Sequence, residues 1–352
     1  MSQASVKIKS ALTVIMLLAA GASHSLADVS QGAARIDYRI EIPAGDNDPA
    51  TFIPVTKIRG AKPGPTLFIS TGVHGYEFAP ILAAERLADE IDPNSLSGTV
   101  LLTRPSHVSA LEARSPYVNP YDRKNLNRSF PGKENGTQTE RIAHAIATQL
   151  IADADFVVDV HSGDGAEWLH SFIGVYGGPL ASDYAAALGF AKAFGIPTVV
   201  RYQMKTQAQI NRNRSLNRQG VASGSPTILV EIGQNGSRDA AHVTTIVSGL
   251  KAGMQTIDML PRSDPLNAVQ HRYFEGTKSV PVEHSGIWHP IDTGGREVAE
   301  GEVLGVIRDY SGVVVETVTA TASGFALYGL AGPPVRKGES VMTIAMPVET
   351  LD

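Results

Sequence analysis

Short, uninterrupted apolar runs recur along the first two-thirds of the chain, and helix-patterned segments lie between them. Residues 67–70, 100–103, 156–160, 198–202 and 227–232 are dominated by Val, Ile, Leu and Phe without regular polar alternation. A strand with one wet face alternates, whereas a strand covered on both faces does not. Between these runs, Ile81, Leu82, Ala84, Leu87, Ala88 and Ile91 recur at helical spacing. Ile142, Ile146 and Leu150 stand four apart, and residues 182–194 form a third helical pattern that stops before Gly195. Strands alternating with helices predict an α/β fold, with a mixed, mostly parallel sheet flanked by helices.

The texture changes at Pro261-Arg262-Ser263-Asp264-Pro265. Beyond it no helical period appears, and short β-like runs are broken by Gly294-Gly295, Gly301, Gly305, Gly312, Gly324, Gly332 and Gly338. Residues 28–262 are therefore expected to carry the chemistry, and 263–352 to form a small all-β, barrel-like domain. At the other end, Lys7 and Lys9 precede an apolar stretch over 11–20, and Ser25-Leu26-Ala27 offers a small-x-small cleavage site. Residues 1–27 read as a secretory signal peptide, with the mature chain starting near Asp28. The stretch is too short to anchor in a bilayer. The expectation is an exported, periplasmic protein with no membrane attachment after cleavage.

Composition narrows the partners. The chain has 352 residues, 43% of them hydrophobic and 18% charged, which suits a globular protein. Its net charge is −5 and it has no long basic run, so nucleic acid is not an expected partner. There is no cysteine, which removes disulfides and thiolate ligands.

Two strand exits carry the candidate chemistry. Gly72-Val73-His74-Gly75-Tyr76-Glu77 follows one apolar run, and Asp159-Val160-His161-Ser162-Gly163 closes another. In open parallel sheets ligands gather outside the carboxyl ends of strands, so one rim would deliver His74, Glu77 and His161 to one spot. Two imidazoles and a carboxylate suit a catalytic zinc, whose remaining position takes water and makes it a nucleophile near neutral pH. Asp159 points to the same face of its strand as His161 and is placed either to orient that ligand or to serve as an ordinary polar strand residue. Walker A, GxGxxG and G-x-S-x-G patterns are all missing, so serine acyl transfer on an α/β-hydrolase scaffold lacks its main signature.

Between the two halves of the metal motif stands Asn125-Leu126-Asn127-Arg128-Ser129-Phe130-Pro131-Gly132. The order G-x-H-G-x-E, N-L-N-R-x-F-P-G, D-x-H-S resembles the succinylglutamate desuccinylase/aspartoacylase family, whose catalytic fold is similar to the zinc carboxypeptidases. The resemblance runs from about Arg35 to the C-terminus and implies one zinc per chain on His74, Glu77 and His161. It implies that Asn127 and Arg128 hold a substrate carboxylate, and a guanidinium fork suits that task. It also implies that Glu231, at the end of the 227–232 run, is the catalytic carboxylate that moves the proton. An upstream Arg that polarises the scissile carbonyl is implied too, with Arg114 preferred over Arg123.

The expected function is zinc-dependent hydrolysis of the amide (N-acyl) bond of a small carboxylate-bearing molecule. The alternative is an exported metallocarboxypeptidase or peptidoglycan amidase with a more open groove. A binding protein that keeps the fold without turnover is a third class. The best-characterised members of the family that the chain resembles act on small acylated amino acids in the cytoplasm, so export would make the substrate a periplasmic amide or peptide instead.

Overall fold

A computed structural model describes residues 32–212, 214–262, 269–292 and 294–351. The expected signal segment, the start near Asp28 and the boundary at 263 lie outside these residues.

Thirteen strands form one sheet: β1 (Ala34–Ile42), β2 (Thr51–Arg59), β3 (Lys62–Thr71), β4 (Ser97–Thr103), β5 (Phe156–His161), β6 (Glu167–Leu169), β7 (Phe172–Gly177), β8 (Thr198–Gln203), β9 (Thr227–Glu231), β10 (Arg272–Pro281), β12 (Glu297–Val298), β15 (Gly324–Leu330) and β17 (Ser340–Val348). A second sheet holds β11 (Gly286–Pro290), β13 (Val303–Arg308), β14 (Val314–Thr319) and β16 (Pro334–Val335). The helices are α1 (Phe78–Glu90), α2 (Val108–Glu112), α3 (Gln138–Ile146), α4 (Tyr184–Ala193), α5 (Gln207–Asn211), α6 (Leu216–Ala222) and α7 (Ala240–Thr256).

The strand order is β1-β2-β4-β3-β5-β9-β7-β8-β10-β17-β15-β12, with β6 on β15. Parallel pairing is confined to the middle. β4, β3, β5 and β9 run one way, β7 reverses against β9, and β8 and β10 follow β7. The flanks pair antiparallel. The sheet is therefore mixed overall, less parallel than the sequence pattern predicts, because pairing direction leaves no trace in an apolar run. Both sheets have open ends among the described residues, so the barrel closure expected after 263 is not formed there.

The apolar runs are continuous because both faces are covered. Leu67, Ile69, Val158 and Val160 pack against α1, α4 and α7 on one face. Phe68 and Val157 face α3, the wide turn at Ala147–Ile151 and α6 on the other. Residues Ala33–Asp352 make one compact unit. The segment beyond 263 joins it through the β8–β10 pairing and through a shared core in which Phe274, Phe325 and Leu327 meet Leu169, Phe172 and Val200.

Candidate metal centre and its cavity

The chain turns as soon as β3 ends. Gly72 takes φ +65°, a region where an L side chain is strained. Gly75 then runs so close to α2 that a Cβ there would stand 2.0 Å from the Ala110 carbonyl oxygen. The Gly75 amide donates to the Ser115 carbonyl (3.0 Å), and His107 Nδ1 reaches the Val73 carbonyl (3.2 Å). His74 thus sits on a loop clamped from both sides. Glu77 occupies the N-cap of α1, where unpaired amides favour a negative charge.

The register brings the rest to the same rim. Thr71 lies opposite Val160 on β5, and His161 lies opposite Glu231 on β9. His74 Nδ1 is 2.7 Å from Glu77 Oε1, and His161 Nδ1 is 2.9 Å from Glu77 Oε2. One ligand atom from each residue falls within 4.8 Å of the others, and all three side chains are buried. The outer nitrogens are engaged elsewhere. His74 Nε2 is 3.2 Å from Asn125 Oδ1, and His161 Nε2 is 2.8 Å from Asp159 Oδ2. Oxygens on the outer nitrogens leave both Nδ1 atoms to face Glu77, as metal-ligating histidines require. These residues could hold a divalent metal ion.

The electrostatics agree. Burial alone would raise the Glu77 carboxyl, but the charges and hydrogen bonds of His161 and His74 hold it at about 2. Burial would lower His161, yet Asp159 and Glu77 outweigh it and raise the imidazole well above its usual range. A bound cation would take the place of the proton that Asp159 and Glu77 favour on His161.

Glu231 faces the same cavity. Burial raises its carboxyl well above the ordinary value, with Glu77, Glu167 and Asp159 adding to the effect and His161 opposing it. No Lys or Arg pairs with it among the described residues. The cavity measures about 790 Å³. Asn125, Asn127 and Arg128 line one side, from the short turn Leu126–Arg128 and its N-cap. Asn127 Oδ1 accepts the Leu216 amide (2.9 Å), which turns its Nδ2 toward His161 Nε2 (3.5 Å). Arg128 is exposed to the cavity and donates to the Asn127 carbonyl (2.7 Å), with no carboxylate partner among the described residues. Thr277, Ser279 and Tyr328 reach the cavity from β10 and β15, beyond residue 263.

Arg114 departs from its expected role. It is exposed at the turn after α2, takes φ +50°, and does not line the cavity. Its amide closes that turn on the Leu111 carbonyl (3.0 Å), so the backbone explains the position. Arg123 is likewise exposed and outside the cavity. The cations that join Arg128 there are Arg212 and Arg218, at the end of α5 and within α6. Sequence reasoning missed them, and it missed Tyr117 and Glu167. Burial raises the Glu167 carboxyl to about 8, with Asp164 and Glu77 contributing. None of these four lies in a local motif, and only the tertiary fold groups them.

Comparison with known proteins places the chain. Residues 63–257 match the profile of the succinylglutamate desuccinylase/aspartoacylase catalytic domain. The chain belongs to that family. It is 26% identical over 308 residues to the N-alpha-acetyl-L-2,4-diaminobutyric acid deacetylase of Halomonas elongata, covering 86% of this chain and 88% of that one. Its fold is similar to a succinylglutamate desuccinylase/aspartoacylase from Rhodobacter sphaeroides, with TM-score 0.78, 21% identity and coverage of 91% and 98%. It is similar also to the product-bound ectoine utilization protein EutE (DoeB) from Ruegeria pomeroyi, with TM-score 0.78, 23% identity and coverage of 90% and 97%. Family membership and the deacetylase relative support a hydrolase acting on amide bonds. Among the described residues no helix is long and apolar enough to cross a membrane.

Proposed function

We propose that this family member is a zinc-dependent deacylase, with one zinc per chain on His74, Glu77 and His161. It cleaves the N-acyl bond of a small molecule bearing a carboxylate. The observation that carries this reading is the buried His-Glu-His group opening on a walled cavity that also holds the unpaired Glu231. Bound zinc supplies a Lewis acid for the scissile carbonyl and lowers the pKa of water. Glu231 takes the proton that the attacking water sheds and returns it to the leaving amine. Its raised proton affinity suits the second half of that transfer. Arg128 grips the substrate carboxylate through its planar fork, and Asn127 Nδ2 borders the reacting end.

The Halomonas relative, by its name, removes an acetyl group from a diamino acid, which supports a small acylated amino acid here. The rival reading, a carboxypeptidase or peptidoglycan amidase, needs a groove open along its length. Tyr328, Thr277 and Ser279 line this cavity, so the segment beyond 263 narrows the site. The leader read at 1–27 adds export to the proposal. The test is hydrolysis by the zinc-loaded protein of a panel of Nα-acyl amino acids and of short peptides. Acyl amino acids are expected to be cleaved and peptides spared. Cleavage of peptides alone would move the reading to the carboxypeptidase, and cleavage of neither would overturn it.

A further inference from the structure

The free edges of the two sheets differ in kind. β12 and β16 are two residues long, and β14, with six residues, shifts register twice against β13. β1 ends the large sheet on the other side. It runs nine residues against β2 without a break in register, and it carries no proline, glycine or lysine. Such an edge holds out a row of unpaired amides and carbonyls, which native proteins usually blunt with bulges, prolines or short length. Ile36 and Tyr38, 45% and 38% exposed, share a face of β1 with Ile40 and Ile42, which are buried. An apolar stripe thus leaves the core and runs into the open along this edge.

The opposite face of β1 carries Arg35, Asp37, Arg39 and Glu41, alternating in sign. Arg35 reaches Asp89 (2.8 Å) and Asp37 reaches Arg104 (3.1 Å). The Arg39 guanidinium lies 4.1 Å from the centre of the Phe52 ring and, like Glu41, has no ionic partner among the described residues. When a strand pairs antiparallel with its own copy about a twofold axis, the residue on the axis meets itself and its neighbours exchange partners. With Tyr38 on the axis, Arg35 stands opposite Glu41, Asp37 opposite Arg39, Ile36 opposite Ile40, and Ala34 opposite Ile42. Every charge meets its opposite, every apolar residue meets an apolar one, and the whole strand is paired. An axis on Asp37 or on Arg39 sets like charges against each other. An axis on Ile36 or Ile40 keeps charges matched but pairs little more than half of the strand. The order of residues in β1 therefore selects one register.

We propose that the outer edge of β1 is a self-association surface, to which a second copy of this chain adds its own β1 antiparallel with Tyr38 on the twofold axis. The two large sheets then run on as one across that axis. No residue of β1 lines the cavity at the metal group, so this proposal stands apart from the reaction.

The chain has no cysteine, so an introduced one can link only to another introduced one. Directly opposed residues of an antiparallel pair have Cα atoms about 4.5–5.5 Å apart, within the span of a disulfide. Tyr38→Cys should therefore link to its own copy under mild oxidation. Ile36→Cys, on the same face and more exposed, should not, because in this register its copy lies about 14 Å away along the ribbon. A mixture of Arg35→Cys and Glu41→Cys should link, whereas neither variant alone should. Sedimentation equilibrium of the wild type should give twice the chain mass. Tyr38→Lys, which sets two ammonium groups against each other, should weaken association at least about tenfold with an unchanged circular dichroism spectrum. A monomer at every concentration, a dimer indifferent to Tyr38→Lys, or linkage of Ile36→Cys as fast as that of Tyr38→Cys would each overturn the proposal. A dimer whose Tyr38→Cys variant does not link would place the contact on another face and overturn it as well. Should Tyr38→Lys fail to fold, the wild-type mass and the cysteine variants decide.

Discussion

At the residue scale, Glu231 and the metal group are separable. Glu231→Gln keeps the shape of the strand end and removes the base, so bound zinc should stay normal while kcat falls on the order of 10²-fold or more. Metal analysis and steady-state kinetics on one preparation check both halves, and near-normal turnover would remove Glu231 from the proton path. Arg128→Lys replaces a fork by a point charge. It should cost about 1.5–3 kcal/mol in kcat/KM for substrates with a free carboxylate. The cost should nearly vanish when that carboxylate is amidated, and equal losses on both substrates would place Arg128 elsewhere in the reaction or in folding. His107 behaves as a stability switch. Burial lowers it to about 4 from 6.5. Between those values the unfolded chain binds a proton that the folded chain refuses, so stability falls as pH drops from 6.5 toward 4, by roughly 3 kcal/mol in all. Urea titrations across that window should show a shallower pH slope for His107→Asn, and an unchanged slope would mean that His107 is not the group responsible.

At the scale of elements, helix contacts explain both a prediction and a blind spot. A Cβ on Gly253 of α7 would lie 2.0 Å from the Phe190 ring of α4, whereas one on Gly189 would meet nothing within 4 Å. Gly253→Ala should therefore destabilise by about 1–3 kcal/mol through overpacking. Gly189→Ala should be neutral or stabilising by up to about 1 kcal/mol, since alanine favours helix. Denaturation midpoints of the two variants check the pair, and equal midpoints would contradict the packing described. Gly253 and its neighbour Gly249 also hid α7 from sequence reading. Thr244, Thr245, Gly249 and Gly253 are weak helix formers, and the close approach of Phe194 and Phe190 accounts for the two glycines. By contrast, the runs that became β3, β4, β5, β8 and β9 were legible because both faces are buried. β7 was not, because Gly174 and Gly177 interrupt it. β1 carries a different signal, Arg35, Asp37, Arg39 and Glu41 alternating with Ile36, Tyr38, Ile40 and Ile42, the period of a strand with one wet face. At the site, His74, Glu77 and His161 could be found because they follow strand exits, and Glu231 through the family resemblance. Glu167 and Arg218 could not, because nothing around them in sequence marks the cavity they share.

At the scale of the whole molecule, the segment beyond 263 does more than follow the α/β part. β10 pairs with β8, β17 and β15 extend the same sheet, and Tyr328 on β15 walls the cavity. A change of texture marks where this segment begins, but texture does not say which strand it will pair with, because that depends on contacts between distant parts of the chain. The consequence is that one cavity, lined from both parts, gathers the His74-Glu77-His161 group, Glu231 and charged side chains of both signs. The most direct test of this account is hydrolysis of Nα-acyl amino acids by chelator-treated protein, before and after one equivalent of zinc is added. The account predicts no turnover without metal and full recovery at one zinc per chain, with no recovery in His161→Ala. Undiminished turnover by metal-free protein would contradict it.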